Sequence, residues 1–119
     1  MQVDVEATVE RDRLLRVIAY VPPGAITFSR LETREVAELT VHGTLRDSAG
    51  KLVGGKSLFG KDVTLRLTDQ QVAALRRSDN AEIPVDVSAP PPGRYQLTVV
   101  ARDRGGWIGA KTIDVNVPK

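Results

Sequence analysis

Cysteine is absent from this 119-residue chain. No disulfide framework, zinc-thiolate cluster or cysteine nucleophile can therefore form. An exported protein remains compatible with that absence. Aromatic residues are scarce: Tyr20, Phe28, Phe59, Tyr95 and Trp107 are all there are. No run of about 18 apolar residues occurs, so membrane insertion through a helix is excluded. The opening MQVDVEATVE has neither the basic start nor the apolar block of a signal peptide. Charge of one sign is also missing. The formal net charge is +2, too small for nucleic-acid binding by counterion release.

What is there suits a sheet protein. The apolar fraction is 41%, and valine is its commonest type. Branched Cβ atoms pack well on a pleated surface. The length fits one domain, 1–119. The cations are biased to arginine, which suits surface ion pairs as well as phosphate contacts.

Period-two alternation dominates. Val3, Val5, Ala7 and Val9 alternate with polar residues. The denser run Leu14–Val21 reads as a strand with most of both faces covered, ended by Pro22-Pro23-Gly24. Residues 25–28 read as a short edge strand, and the polar 29–34 as loop. Ala37, Leu39, Val41, Gly43 and Leu45 give the clearest half-buried strand. A hairpin loop follows at 47–51, with Gly50 in the left-handed position. Residues 52–59 are expected to return as its partner, bulged at Gly54-Gly55. Val63, Leu65 and Leu67 make another strand. Thr68-Asp69-Gln70-Gln71 is a capping box that predicts one short helix at about 69–77. Ile83, Val85 and Val87 alternate around Pro84, which marks an edge strand. Tyr95, Leu97, Val99 and Ala101, then Ile113, Val115 and Val117, complete the pattern. The expectation is an all-β, two-sheet immunoglobulin-like sandwich of 7–9 strands.

The stretch Pro92-Gly93-Arg94-Tyr95-Gln96-Leu97-Thr98-Val99 resembles the penultimate strand of immunoglobulin-like and fibronectin-type sandwiches. The resemblance puts Tyr95 at the tyrosine corner, after Gly93. It puts Leu97 where antibody domains carry their second cysteine. Three blocks in order extend it: residues 16–24 (RVIAYVPPG), 62–75 (DVTLRLTDQQVAAL) and 92–118, the last containing RDRGGWIGAK and closing on VNVP. Together they are similar to the β-rich region downstream of the von Willebrand factor A domain in bacterial VWFA-related proteins. That resemblance implies an accessory or interaction module of a larger, exported protein. Its adhesion motif D-x-S-x-S is broken here after Asp47-Ser48 by Ala49, so metal-dependent adhesion does not carry over.

Chemistry is sparse. His42 is the single histidine and alternates onto a polar face, so a catalytic role would need a nucleophile or carboxylate delivered by the fold. Ser29, Ser48, Ser57, Ser78 and Ser88 lack a G-x-S-x-G context. Gly54-Gly55-Lys56-Ser57 lacks the spacing of a phosphate loop and reads as a bulge or hairpin. Asp47, Asp62, Asp79, Asp86 and Asp103 lie near strand ends, where sandwich loops can bind calcium; that ion wants six to eight oxygens. Trp107 follows Gly105-Gly106. It is either an exposed interface anchor or sugar-stacking platform, or an indole folded back over the sandwich end. The scarcity of aromatics favours folding back. Arg76-Arg77, the group Arg102, Arg104 and Lys111, and the group Arg11, Arg13 and Arg16 form basic spots with acidic neighbours.

The reading is a non-catalytic structural or protein-interaction module, extracytoplasmic, with no cofactor. Its partners are another protein or neighbouring domains of the same chain. The binding residues, if any, are Trp107, Arg102 and Arg104 at the end bearing residues 105–109, together with any open edge strand. The alternatives are a carbohydrate- or calcium-binding sandwich, and an enzyme built around His42.

Overall fold

A computed structural model describes residues 2–119. Its strands are β1 (Asp4–Val9), β2 (Leu14–Val21), β3 (Ser29–Leu31), β4 (Arg34–Asp47), β5 (Phe59–Leu67), β6 (Ala81–Ser88), β7 (Gly93–Asp103) and β8 (Ile108–Val117), with helix α1 (Asp69–Arg77) between β5 and β6. One antiparallel sheet has the order β1-β2-β6. In the other, β4 pairs β5 along one side and β7 along the other, β8 follows β7, and β3 extends β4 beyond the end of β7. Pairing β2 with β6 and β4 with β7 exchanges partners between the sheets. This is the Greek-key connection of an immunoglobulin-like sandwich.

Alternation explains which side each strand buries. In β4 the odd positions Ala37, Leu39, Val41, Gly43 and Leu45 are buried, while Glu38, His42 and Arg46 are exposed. Leu15, Val17, Ala19 and Val21 of β2 face Leu97, Val99 and Ala101 of β7 in one shared core. Only this face of β2 is fully buried. Leu14, Ile18 and Tyr20 on the other are half-covered, fewer contacts than the dense apolar run suggested.

The helix forms as its capping box requires. Thr68 Oγ1 accepts from the Gln71 amide at 3.2 Å, and Gln71 Oε1 accepts from the Thr68 amide at 2.8 Å. Val72 is buried and Leu75 packs against the core. Arg30 bridges Glu35 and Asp69, fixing the first turn of α1 to β3 and β4. The same arginine holds the Asp69 carboxyl below its ordinary range.

Two stretches differ from the sequence expectation. Residues 25–28 are not a strand: Pro23–Ala25 is a 3₁₀ turn, with the Ala25 amide bonded to the Pro22 carbonyl. Ala25 and Ile26 are buried as a plug. The short edge strand is β3, inside the segment expected to be loop. It turns through Glu32, with φ of 57°, and Thr33, neither of which is a turn-forming residue. The partner of β4 is likewise not 52–59. A single bridge joins Arg46 to Leu52, and then Gly54 and Gly55, with φ of 74° and 69°, divert the chain through a 3₁₀ turn. Pairing resumes only at Phe59. The glycines supply a left-handed conformation that other residues adopt at a cost, but they use it for a turn rather than a bulge.

Candidate functional site

The end bearing β7–β8 is built around Asp103. Period-two alternation in β7 runs on past Ala101, so the Asp103 carboxylate points into the sandwich and is only 4% exposed. Its Oδ1 accepts from the Thr27 amide at 3.0 Å and its Oδ2 from the Gly105 amide at 2.8 Å. Asp103 is thus a latch between the hairpin and the β2–β3 connection, with both oxygens already engaged. Trp107 is half-buried and packs against the core. A Cβ on Gly109 would come within 2.5 Å of the indole, so the ring lies on that glycine. Gly109 pairs with buried Ala101, which places the indole on the inner side of β8.

Arg102 points the other way. It is exposed on the outer face, where its cross-strand neighbours are Thr40 and Ile108. Arg104 reaches the same outer face through Glu38, with a 3.2 Å ion pair. Trp107 and Arg102 therefore stand on opposite faces of the sheet and do not share a site. Lys111 lies on the inner side of β8, opposite Val99, and is apart from Arg102 as well. Of the structural residues, Tyr95 donates its hydroxyl to the Pro91 carbonyl at 2.5 Å, the tyrosine-corner bond. Gly93, with φ of 155°, opens β7 beneath that ring, and Leu97 is fully buried.

The remaining candidates scatter. His42 is exposed beside Gly60, in a shallow depression lined by Thr40, Val100 and Arg102. That lining brings it one hydroxyl, that of Thr40, and Asp62 stands opposite Thr40 on the same outer face. Asp47 Oδ1 caps its own hairpin, accepting from the Ala49 and Lys51 amides. Asp86 pairs with Arg16 at 2.9 Å and is held below the ordinary carboxylate range by it. Asp62 lies on the outer face of β5, and Asp79 follows α1. Among the described residues no group of three or more histidines and carboxylates is close enough to hold a metal. Arg76 lies over the Phe28 ring at 5.9 Å, and Arg13 donates to the Pro90 carbonyl.

Two surfaces were not foreseen. A groove of about 600 Å³ lies at the opposite end, where the 47–51 turn borders Arg94, Gln96, Asp114 and Asn116. The second is the outer face of the β1-β2-β6 sheet. Register places Asp4, Tyr20 and Glu82 in one row and Glu6, Ile18 and Pro84 in the next. The Tyr20 hydroxyl donates to Glu6 Oε2 at 2.6 Å. That bond, then burial, then the charges of Glu6, Glu82 and Asp4 push the Tyr20 phenol up to about 12. The protonated phenol is favoured in the folded state. Its contribution to stability is complete below about pH 10, the ordinary tyrosine value, and is lost as pH rises through about 12. Glu6→Gln is expected to bring the Tyr20 midpoint back towards about 10, read from its ring carbon in a ¹³C-tyrosine NMR titration. An unmoved midpoint would remove Glu6 as the cause.

Three of the edge strands, β5, β6 and β8, are guarded. Lys61 points inward from β5 and donates to the Pro84 carbonyl at 2.9 Å, crossing from one sheet to the other. Lys111 points inward from β8, and Pro84 sits in β6. Inward charge and proline on edge strands discourage pairing with another strand. The arrangement as a whole offers hydrogen bonding and charge at fixed positions on flat faces. No family model and no curated protein matches this chain.

Proposed function

We propose that this chain is a non-catalytic structural or protein-interaction module standing in series within a longer, exported bacterial protein. The observation that carries it is the path of the chain. β1 begins beside Tyr20, at the end of the sandwich where β2 finishes and Asp103 latches the hairpin. β8 finishes beside Gly93, at the other end. The 14 residues of β4 span about 46 Å at the usual strand rise, close to the 49 Å long dimension. A chain passing through such a module is lengthened by most of that dimension.

The resemblance to the region downstream of von Willebrand factor A domains supports the same reading. It rests on the three sequence blocks alone. It is also the support for bacterial origin and an extracytoplasmic place, with neighbouring domains or another protein as partner. His42 stands exposed on an open strand face rather than in an enclosed pocket, which supports the non-catalytic part.

Two measurements test this. The chain has no cysteine, so spin labels at Gln2→Cys and Lys119→Cys report one distance, expected at roughly 35–45 Å from the strand lengths. A separation under about 20 Å would end the in-series reading. In the full-length protein, His42→Ala should leave its activity intact, whereas excising residues 2–119 should not. Loss of activity in a folded His42→Ala protein would overturn the non-catalytic reading.

A further inference from the structure

The two outer faces of the sandwich carry opposite charge. On the β1-β2-β6 face, Arg16 and Asp86 neutralise each other, leaving Asp4, Glu6 and Glu82. On the β5-β4-β7-β8 face, Arg104 and Glu38 neutralise each other. Arg34, Arg46, Arg66, Arg94 and Arg102 then stand against Asp62 and Asp114 alone. Three charges are in excess on each face, negative on one and positive on the other.

Each face also has a small apolar centre next to its charge. On the acidic face, Ile18 lies between Glu6 and Pro84, one row from Asp4, Tyr20 and Glu82. On the basic face, Val100 pairs with Ala110, one row from Arg102 and Ile108, and Ile108 is 59% exposed. The two patches are matched in chemistry. The guards on the β5, β6 and β8 edges turn a partner towards these faces.

We infer that the acidic face of one copy docks on the basic face of a second copy of this chain, Ile108 and Val100 meeting Ile18 and Pro84 while Arg102 meets Glu82. This deepens the interaction part of the proposed function and rests on that reading. The contact is heterologous, so successive copies stack into an open row rather than a closed dimer. Three strands of about eight residues present roughly 400 Å², about half the roughly 800 Å² per partner of a stable complex. The association is therefore weak, reversible and steered by charge. It is strongest where copies are crowded.

Sedimentation equilibrium tests it. At about 0.01 M salt, where screening extends about 30 Å, the apparent mass should rise with protein concentration; at about 1 M, where it extends about 3 Å, it should fall to that of the monomer. Glu82→Lys and Arg102→Glu, both at exposed positions, should each weaken self-association roughly tenfold with melting temperatures unchanged. An equimolar mixture of the two variants pairs the unaltered faces with each other and sets the two reversed charges opposite one another, and should recover association. A wild-type chain that stays monomeric at every concentration overturns the inference. So do variants that associate like the wild type, and a mixture no stronger than its components. None of these outcomes alters the end-to-end spin-label distance, so the in-series reading stands or falls separately.

Discussion

Asp103→Ala is expected to lower the unfolding free energy by about 3 kcal/mol. The carboxylate is almost fully buried and both oxygens are engaged, one by the Thr27 amide and one by the Gly105 amide. Alanine leaves two backbone donors without acceptors, and each buried orphan costs about 1–3 kcal/mol. Asp103→Asn should cost less, since its carbonyl still accepts one of the two bonds, but its amide then meets an N–H donor. Denaturant unfolding gives the magnitude. Hydrogen exchange gives the location: the Thr27 and Gly105 amides should both lose protection in Asp103→Ala and one of them in Asp103→Asn, while those of β1 keep theirs. A loss under about 1 kcal/mol would mean that solvent reaches this end and replaces the carboxylate.

Asp103 also shows what alternation can and cannot reveal. Tyr95, Leu97, Val99 and Ala101 define the inner face of β7, and one more step of two reaches Asp103. The signal for its burial was in the sequence; it was masked by the expectation that an aspartate near a strand end belongs to a loop. Where the determining forces are local, the sequence was readable to the residue. The limits of β2 are set by Pro22 on one side, and those of α1 by Thr68 and Ser78. The tyrosine corner needs only Pro91 and Tyr95, four residues apart. β3 was unreadable for the converse reason. Its turn at Glu32 has no turn-forming residue, and its partners Glu35 and Asp69 are supplied by other elements.

Surfaces follow the same division. Alternation says which face a residue occupies but not which residue stands beside it. Asp4 and Glu82 are 78 positions apart, and they flank Tyr20 only because β1 and β6 pair β2 in one particular register. The grouping of Trp107 with Arg102 had the opposite fault. Nearness in sequence suggested a common site, whereas a turn followed by pairing of Arg102 with Ile108 sent their side chains to opposite faces. A functional surface on a sandwich belongs to a face and a register, and linear proximity is a poor guide to either.

Leu97→Ala is expected to cost about 3–4 kcal/mol, a large part of the roughly 5–15 kcal/mol that holds a domain of this size together. Leu97 is wholly buried at the centre of the larger sheet, with Leu45 on one neighbouring strand and Ile113 on the other. This is the position at which antibody domains place a disulfide. Here apolar packing stands at that position instead, so truncation removes contact area and leaves a cavity that the flanking strands cannot close. The melting temperature should fall by roughly 12–20 °C. Ile108→Ala, at a residue 59% exposed on the outer face of the same sheet, should change stability by less than about 0.5 kcal/mol. The contrast between two apolar truncations on opposite faces is the sharpest measure of which side of the sheet the core occupies. Equal losses at the two positions would mean that the outer face is also covered, and by something other than this chain.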